Sequence, residues 1–174
     1  MKRKKLRISL LDFLATGRFG PFVPCRDISP EELIEVLGVS DPIEVYADGR
    51  VDNIYKVGDP ACFPVIVPYG DVEFHFDSPS TLNCIFYDNP FAKEPSGNAG
   101  MALSDAALLK YRRPIGEFLN LCKSVGLVVG PTKPYSQPSG FVITTAGGVD
   151  VGFEVDDPQD QNEEATLRWF SLKP

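Results

Sequence analysis

The chain has 174 residues, of which 43% are hydrophobic and 24% are charged. This composition is that of an ordinary globular protein, so it excludes a wholly disordered chain, a collagen and a coiled coil. The formal net charge is -7, although five of the 17 basic residues lie within the first seven positions. The rest of the chain is strongly acidic and would repel a phosphate backbone, so nucleic acid is not an expected partner. The basic N-terminal tip is either a solvated terminus or a short segment that binds a membrane or nucleic acid.

The N-terminal region does not have the pattern of a secretion signal. Arg7 and Asp12 interrupt its apolar run, and no stretch of the chain approaches 18 consecutive apolar residues. The four cysteines include no Cys-x-x-Cys pair, which favours reduced, buried thiols over a disulfide framework. We therefore expect a cytoplasmic protein with no membrane partner.

Two helices are expected at the start of the chain. Residues 8–14 carry clustered apolar side chains and predict a short helix that ends at Gly17. A second helix is predicted to begin after Ser29, because Pro30 suits the first helical position and Glu32 completes a capping box. Gly38 is expected to end it.

Strands are predicted next. The Asp-Gly pair at 48–49 indicates a hairpin turn, and residues 65–67 are expected to form an edge strand. Residues 71–77 alternate strictly, which places Glu73 and His75 on the face opposite three apolar side chains. In the following strand, residues 81–87, one face is expected to carry Leu82, Cys84 and Phe86.

The second part of the chain repeats this order of elements. Residues 89–100 are rich in Pro, Gly, Asn and Ser and predict a mobile linker. A helix is expected from Ser104, and Pro114 either kinks it or starts a second helix at Ile115. Strands are predicted at 141–145, 149–155 and 166–172, with a hairpin turn at Gly147 and Gly148.

An internal repeat supports dividing the chain into two similar halves. Residues 71–77 align without a gap on residues 150–156, with identical residues at four positions. We therefore predict an α+β fold built from two α-β-β-β halves, with an antiparallel sheet and helices packed on one face. The halves are residues 1–88 and 101–174, joined by the 89–100 linker, as separate units or as one joint domain.

Two stretches carry a resemblance to known proteins. The sequence Gly-Arg-Phe-Gly-Pro at 17–21 and the sequence Tyr-Gly-Asp-Val-Glu-Phe-His-Phe at 69–76 resemble a group of small bacterial proteins of uncharacterised function. The order helix, helix, three strands also resembles the repeat of β-lactamase-inhibitor-protein-like domains. The second resemblance implies a protein-binding module, often inhibitory.

Signals for catalysis and for metal binding are weak. His75 is the single histidine, so a catalytic triad that needs a histidine base has one candidate. A zinc site of Cys62, His75 and Cys84 is conceivable, but these residues do not have the spacing typical of zinc ligands. The acidic stretch from Asp156 lacks the central Gly and the terminal Glu spacing of a calcium-binding EF-hand loop. We expect no catalytic residue, no metal and no cofactor.

Acidic and aromatic side chains point instead to a contact surface. The second half contains a run of acidic residues without a basic residue, and such a surface attracts cationic partners. Aromatic residues lie in or beside several loops, and aromatic residues are favoured at interface centres. The predicted partner-binding residues are Asp156, Asp157, Asp160, Glu163, Glu164, Trp169 and Tyr135. Phe19, Phe22 and Tyr69 are among the further aromatic candidates, each either a core anchor or part of a contact surface.

These features predict a non-catalytic module of inhibitor or immunity-protein type that binds another, basic protein, such as a toxin. One alternative is an enzyme with a site around Asp71, Glu73 and His75 between the halves. The other is a structural subunit or a homodimer formed through an uncovered sheet edge.

Overall fold

The computed structural model describes residues 5–47, 50–52, 63–87, 94–135, 140–156 and 164–174. Its helices are α1 (Leu10–Thr16), α2 (Pro30–Leu37) and α3 (Ile115–Val125), with a 3₁₀ turn at Ala106–Leu109. Its strands are β1 (Leu6–Ser9), β2 (Glu44–Ala47), β3 (Arg50–Asp52), β4 (Val65–Tyr69), β5 (Val72–Ser78), β6 (Thr81–Tyr87), β7 (Met101–Ser104), β8 (Lys133–Pro134), β9 (Gly140–Thr144), β10 (Asp150–Glu154) and β11 (Thr166–Leu172).

One large sheet dominates the fold. Its strand order is β3-β2-β4-β5-β6-β11-β10-β9-β8, and every neighbouring pair is antiparallel. Helices and antiparallel sheet together confirm the predicted α+β class. The strands of the two predicted halves meet where β6 pairs with β11. β4 is paired with both β2 and β5, so the prediction of an edge strand there is wrong.

The first predicted helix begins later than expected. Residues up to Ser9 form β1, which pairs in parallel with β7, because the backbone of Leu6 and Ile8 bonds to the distant segment around Met101 rather than to its own next turn. The Ser9 side chain then accepts a hydrogen bond from the Asp12 amide at 3.1 Å and caps α1. Gly17 ends the helix as predicted, with a positive φ of 72°.

The second helix follows its sequence signals closely. Ser29 Oγ accepts from the Glu32 amide at 3.2 Å, and the Ser29 amide donates to the Glu32 carboxylate at 2.8 Å. The predicted capping box is therefore confirmed, as is the end of the helix at Gly38.

The helix expected from Ser104 is replaced by a strand and a single 3₁₀ turn. β7 ends at Ser104, and Asp105 adopts a left-handed conformation with φ of 60°, which interrupts any continuous helix. α3 starts at Ile115, directly after Pro114. Of the two alternatives for Pro114, the start of a new helix is the one that the structure adopts.

A β-bulge changes which residues of β6 face the core. His75 on β5 lies opposite Cys84, whereas the next residue, Phe76, lies opposite Leu82. Asn83 is therefore an extra residue in β6. A strict alternation in the sequence gives no sign of such an insertion.

The bulge overturns one sequence expectation. Leu82 faces the core together with Ile85 and Tyr87, all of which are buried. Cys84 and Phe86 lie on the opposite face and are only partly buried. The prediction that Leu82, Cys84 and Phe86 share one face is therefore wrong, because the extra residue reverses the alternation after Leu82.

β11 carries a bulge at the corresponding place. Gly152 lies opposite Trp169 and Phe153 lies opposite Leu167, which makes Arg168 the extra residue. In both β6 and β11, the alternation of side chains between the two faces is therefore reversed after the second residue of the strand. Their mutual pairing is centred on Phe86 opposite Ser171.

The pairing also corrects the sequence alignment of the middle strands. The sequence alignment places Phe74 on Phe153. In the structure, Phe74 lies opposite Ile85 of β6, and the residue of β11 that corresponds to Ile85 is Phe170. Phe170 lies opposite Val151, so Val151 is the structural counterpart of Phe74. The aligned segments are therefore two residues out of structural register, although each side chain keeps its face because the side-chain period is two. The duplication itself stays a prediction.

The stretches that carried the resemblance meet at one ring in the core. Phe19, Phe22 and Tyr69 lie edge-on to Phe74, with ring centroids 5.4, 5.9 and 5.7 Å away. All four side chains are buried. The contact-surface alternative for Phe19, Phe22 and Tyr69 is therefore wrong, and these residues anchor the core.

The described end of the predicted linker is tied to the turn between β4 and β5. Asp71 Oδ2 accepts hydrogen bonds from the Ser96 amide at 2.8 Å and from its hydroxyl at 2.6 Å. Gly70 has a positive φ of 69°, and a Cβ at this position would overlap the backbone of Ser96 and Gly97. The Gly-Asp pair of the second motif thus fixes a turn.

Candidate functional site

The two faces of the large sheet have different surroundings. On one face, Phe13 of α1 contacts Phe170 with ring centroids 5.8 Å apart, and Phe118 of α3 contacts Phe153 at 5.3 Å. The opposite face, called the open face below, carries alternate residues of the central strands and none of the described helices. Its central side chains are Glu73, His75, Cys84, Phe86, Asp150, Glu154, Trp169, Ser171 and Lys173.

A row of rings crosses the open face. His75 and Phe86 lie edge-on with centroids 5.8 Å apart, Phe86 and Trp169 are tilted at 6.5 Å, and Trp169 and Tyr135 meet at 5.6 Å. The structure thus brings together two of the predicted partner-binding residues, Tyr135 and Trp169. Tyr135 remains 45% exposed, so the row is accessible at its outer end.

Gly152 determines how Trp169 lies. A Cβ on Gly152 would overlap the indole ring, so the ring rests on the backbone of β10 where the neighbouring strand has no side chain. This placement brings the indole to Tyr135, whose amide donates to the Gly140 carbonyl at 2.9 Å. Trp169 is therefore held flat across the strand, with its ring available on the open face.

A groove of about 520 Å³ runs beside this row. The rings of Phe86, Tyr135 and Trp169 line it together with Glu154 and Lys173. The groove therefore combines aromatic surface with one charge of each sign. Such a combination is typical of a site for a charged side chain rather than for a purely apolar ligand.

A second groove of about 470 Å³ lies towards β4 and contains the single histidine. His75 Nε2 lies 2.8 Å from the Glu73 carboxylate, and both side chains are partly exposed. Cys84 is the residue opposite His75 in β6. Burial raises the pKa of the Cys84 thiol, and Asp77 and Glu73 also raise it, while Lys173 acts in the other direction. This environment keeps the thiol protonated and makes it a poor nucleophile at neutral pH.

The third residue of the enzyme alternative lies elsewhere. Asp71 belongs to the turn before β5 and is bonded to Ser96. The pair of Glu73 and His75 therefore stands on the open face without Asp71. Since β6 pairs directly with β11, this pair lies on a continuous sheet.

Asp156, one of the predicted partner-binding residues, has partners within the chain. It accepts a hydrogen bond from Arg112 at 2.9 Å and forms an ion pair with Arg168. Arg168 is 8% exposed and donates to the Tyr111 hydroxyl at 2.8 Å. Burial opposes the charge on Arg168, but the contacts with Tyr111 and Asp156 outweigh burial and raise its pKa. The carboxylate of Asp156 therefore balances the charge of the buried Arg168 guanidinium.

Glu164 also acts within the chain. Its carboxylate accepts a hydrogen bond from the Gly116 amide at 2.7 Å, in the first turn of α3. The residue that precedes α3, Pro114, makes no capping bond with its own side chain. Glu164 therefore caps the helix from a distant part of the chain.

The remaining acids of the predicted set, Asp157, Asp160 and Glu163, lie outside the described residues. Cys62, one member of the conceivable zinc set, lies outside them as well. Among the residues that the structure does describe, no group of three or more His, Cys, Asp or Glu side chains is placed to hold a metal ion. None of the described helices has the length and apolar character needed to cross a lipid bilayer.

Sequence reasoning missed two residues of the open face. Glu154 was not assigned to the site, and Phe86 was expected to share a face with Leu82. For Glu154 a signal existed, because alternation with the buried Val151 and Phe153 puts it on the same face as Gly152. For Phe86 the bulge removed that signal.

Comparison with known proteins gives no assignment. No protein family, no curated protein and no solved structure matches this chain.

Proposed function

We propose that this protein is a non-catalytic binding module of inhibitor or immunity-protein type, which presents its open face to a basic protein. The observation that carries the proposal is the row of His75, Phe86, Trp169 and Tyr135 on a sheet face that none of the described helices covers. Rings of this kind, already held in position by the fold, lose little conformational freedom when a partner covers them.

Charge supports a basic partner. The two grooves on the open face are lined by three acids, Glu73, Asp77 and Glu154, and by a single lysine, Lys173. The whole chain has a formal net charge of -7. Acidic surface of this kind attracts a cationic protein and raises its association rate, most strongly at low ionic strength.

The geometry favours binding over the enzyme alternative. A cysteine nucleophile needs a lowered pKa, and the surroundings of Cys84 raise it instead. Glu73 engages His75 Nε2, so the histidine has one nitrogen left for any further partner. A pair of this kind suits hydrogen bonding at an interface.

The test begins with a partner captured from an extract of the source cells and then purified. Its affinity is measured by calorimetry for the wild-type chain and for Trp169→Ala and Tyr135→Ala. We expect each open-face variant to weaken binding at least tenfold, because truncated aromatic residues at interface centres cost about 2 kcal/mol or more. The partner is expected to be basic and to lose its own activity when bound.

Val128→Ala is the matched control, since Val128 is 69% exposed and follows α3. Its affinity should equal that of the wild type. A partner that binds all three variants as tightly as the wild type would show that the open face is not the binding surface. An acidic partner would contradict the charge argument.

A further inference from the structure

The groove beside Trp169 has the chemistry of a receptor for one cationic side chain. Phe86 and Tyr135 stand on either side of the Trp169 ring, at 6.5 and 5.6 Å between centroids. Glu154 lines the same groove. Aromatic faces attract cations through their quadrupole, and tryptophan does so most strongly.

Glu154 is the acid that remains available in this region. Among the described residues it has no hydrogen-bond or ion-pair partner, whereas Asp156 is bound to Arg112 and Arg168. It is placed beside the rings because Glu154 pairs with Gly140, whose carbonyl accepts from the Tyr135 amide. A carboxylate that is half-buried and uncommitted next to aromatic surface is complementary to a cation.

Lys173 lines the same groove and carries the opposite charge. It follows Trp169 by four residues along β11 and its direct extension, a separation of about 13 Å at the usual rise per residue. Lys173 also acts on the Cys84 thiol, which lies on β6. The end of the groove next to Trp169 and Glu154 is therefore the acidic end.

We propose that this acidic end receives an arginine side chain of the basic partner protein, with the guanidinium stacked on Trp169 and paired with Glu154. The inference rests on the proposed function and specifies the chemistry of the partner. Arginine is preferred to lysine because its planar guanidinium stacks on a ring and forms two parallel bonds to a carboxylate. Gly152 contributes by leaving the ring flat and open to stacking.

The single tryptophan of the chain makes the proposal directly measurable. The full chain is titrated with three capped peptides that differ at one position, which is arginine, citrulline or lysine, while Trp169 fluorescence is followed. We expect a saturable change with the arginine peptide. The neutral citrulline peptide should bind at least tenfold more weakly, and the lysine peptide should bind several-fold more weakly.

Two variants assign the effect to the groove. Glu154→Gln should weaken the arginine peptide about tenfold and leave the citrulline peptide unchanged, because only the charged pair is lost. Tyr135→Leu should weaken the arginine peptide several-fold. Glu35→Gln removes an equal charge from exposed α2 and should change nothing.

Equal affinity for the arginine and citrulline peptides would overturn the arginine inference, and so would an unchanged affinity in Glu154→Gln. These results are distinguishable from a failure of the proposed function. If the captured partner loses affinity for Trp169→Ala while no peptide shows a preference for arginine, the open face binds the partner by other contacts. If the arginine peptide binds but the partner has the same affinity for Trp169→Ala and Tyr135→Ala as for the wild type, the proposed function fails instead.

Discussion

At Gly152, the absence of a side chain decides where the single tryptophan lies. A methyl group there would overlap the Trp169 indole and push it off the strand. We expect Gly152→Ala to destabilise the protein by about 1–3 kcal/mol, as overpacking usually does, and to shift Trp169 emission to longer wavelength. Denaturant unfolding and fluorescence spectra test both effects.

Gly100→Ala is the matched control for this prediction. A Cβ on Gly100 would meet only the Asn98 side chain and the Val39 carbonyl, at 3.6 and 4.0 Å. Its stability and its Trp169 spectrum should stay close to those of the wild type. An unchanged spectrum in Gly152→Ala would mean that the ring does not rest on this residue.

The described cysteines should differ in reactivity. Cys25 is exposed, Cys84 is partly buried and Cys122 is buried, with a pKa raised to about 11 by burial. We expect alkylation in the order Cys25, Cys84, Cys122, with the rate at Cys84 still rising above pH 9 because its pKa is also raised. Peptide mapping by mass spectrometry after timed labelling gives the three rates.

This experiment also bears on the enzyme alternative. Rapid alkylation of Cys84 below pH 7 would indicate a thiolate stabilised by His75, and a nucleophilic role would then regain support. Rates for Cys25 provide the internal reference, since Cys25 is exposed.

At the scale of the element, α3 depends on a residue that lies outside the helix. Glu164 accepts from the Gly116 amide, and we expect Glu164→Ala to lower the free energy of unfolding by about 1 kcal/mol, as the loss of a helix cap does. Glu164→Gln should restore most of the loss, because an amide oxygen still accepts the bond. Denaturant titration measures all three proteins.

Glu35→Ala serves as the control for cap removal, since Glu35 is exposed on α2. If Glu164→Ala and Glu35→Ala are equally stable, Glu164 does not stabilise α3 and is free for a partner. The comparison therefore separates a structural role of Glu164 from the binding role that the sequence predicts.

Local signals predicted the elements that depend on neighbouring residues. The Ser29, Pro30 and Glu32 pattern placed α2 correctly because a capping box is completed within one turn. The last two residues of β1, Ile8 and Ser9, were predicted as helix because the pairing partner of this strand, β7, lies far away in the chain. The sequence before Asn83 and Arg168 gives no sign of the two bulges, so the prediction that Phe86 shares a face with Leu82 was wrong.

The candidate site was predictable only in part for the same reason. Trp169 and Tyr135 were selected as aromatic residues near the acidic region, and their contact depends on Gly152, a residue on the strand between them. Asp156 was selected for its charge, but its bond to the buried Arg168 depends on a bulge and on the turn that holds Tyr111. Tertiary contacts between distant segments decide both outcomes.

At the scale of the whole molecule, acidic charge should control the rate of association more than the affinity. Replacing Asp157, Asp160 and Glu163 with Ser together is expected to slow association with the basic partner several-fold and to flatten its dependence on salt. Asp156 and Glu164 are left intact because they stabilise the fold. Stopped-flow measurements at several ionic strengths provide the rates.

A matched triple variant distributes the same charge change elsewhere. Glu31, Glu35 and Glu117 lie on α2 and α3, and their replacement with Ser should have a smaller effect on the rate. Equal slowing in the two triple variants would mean that net charge alone steers the partner. No slowing in either would contradict electrostatic steering.

The most direct test of the proposed binding surface is the quenching of Trp169 fluorescence by acrylamide, with and without a saturating amount of the purified partner. This tryptophan is the only one in the chain. Once the emission of any tryptophan in the partner has been subtracted, the quenching therefore reports on the open face. The proposal predicts that the quenching constant falls several-fold when the partner binds. A fully formed complex in which Trp169 is quenched as readily as in the free protein would contradict it.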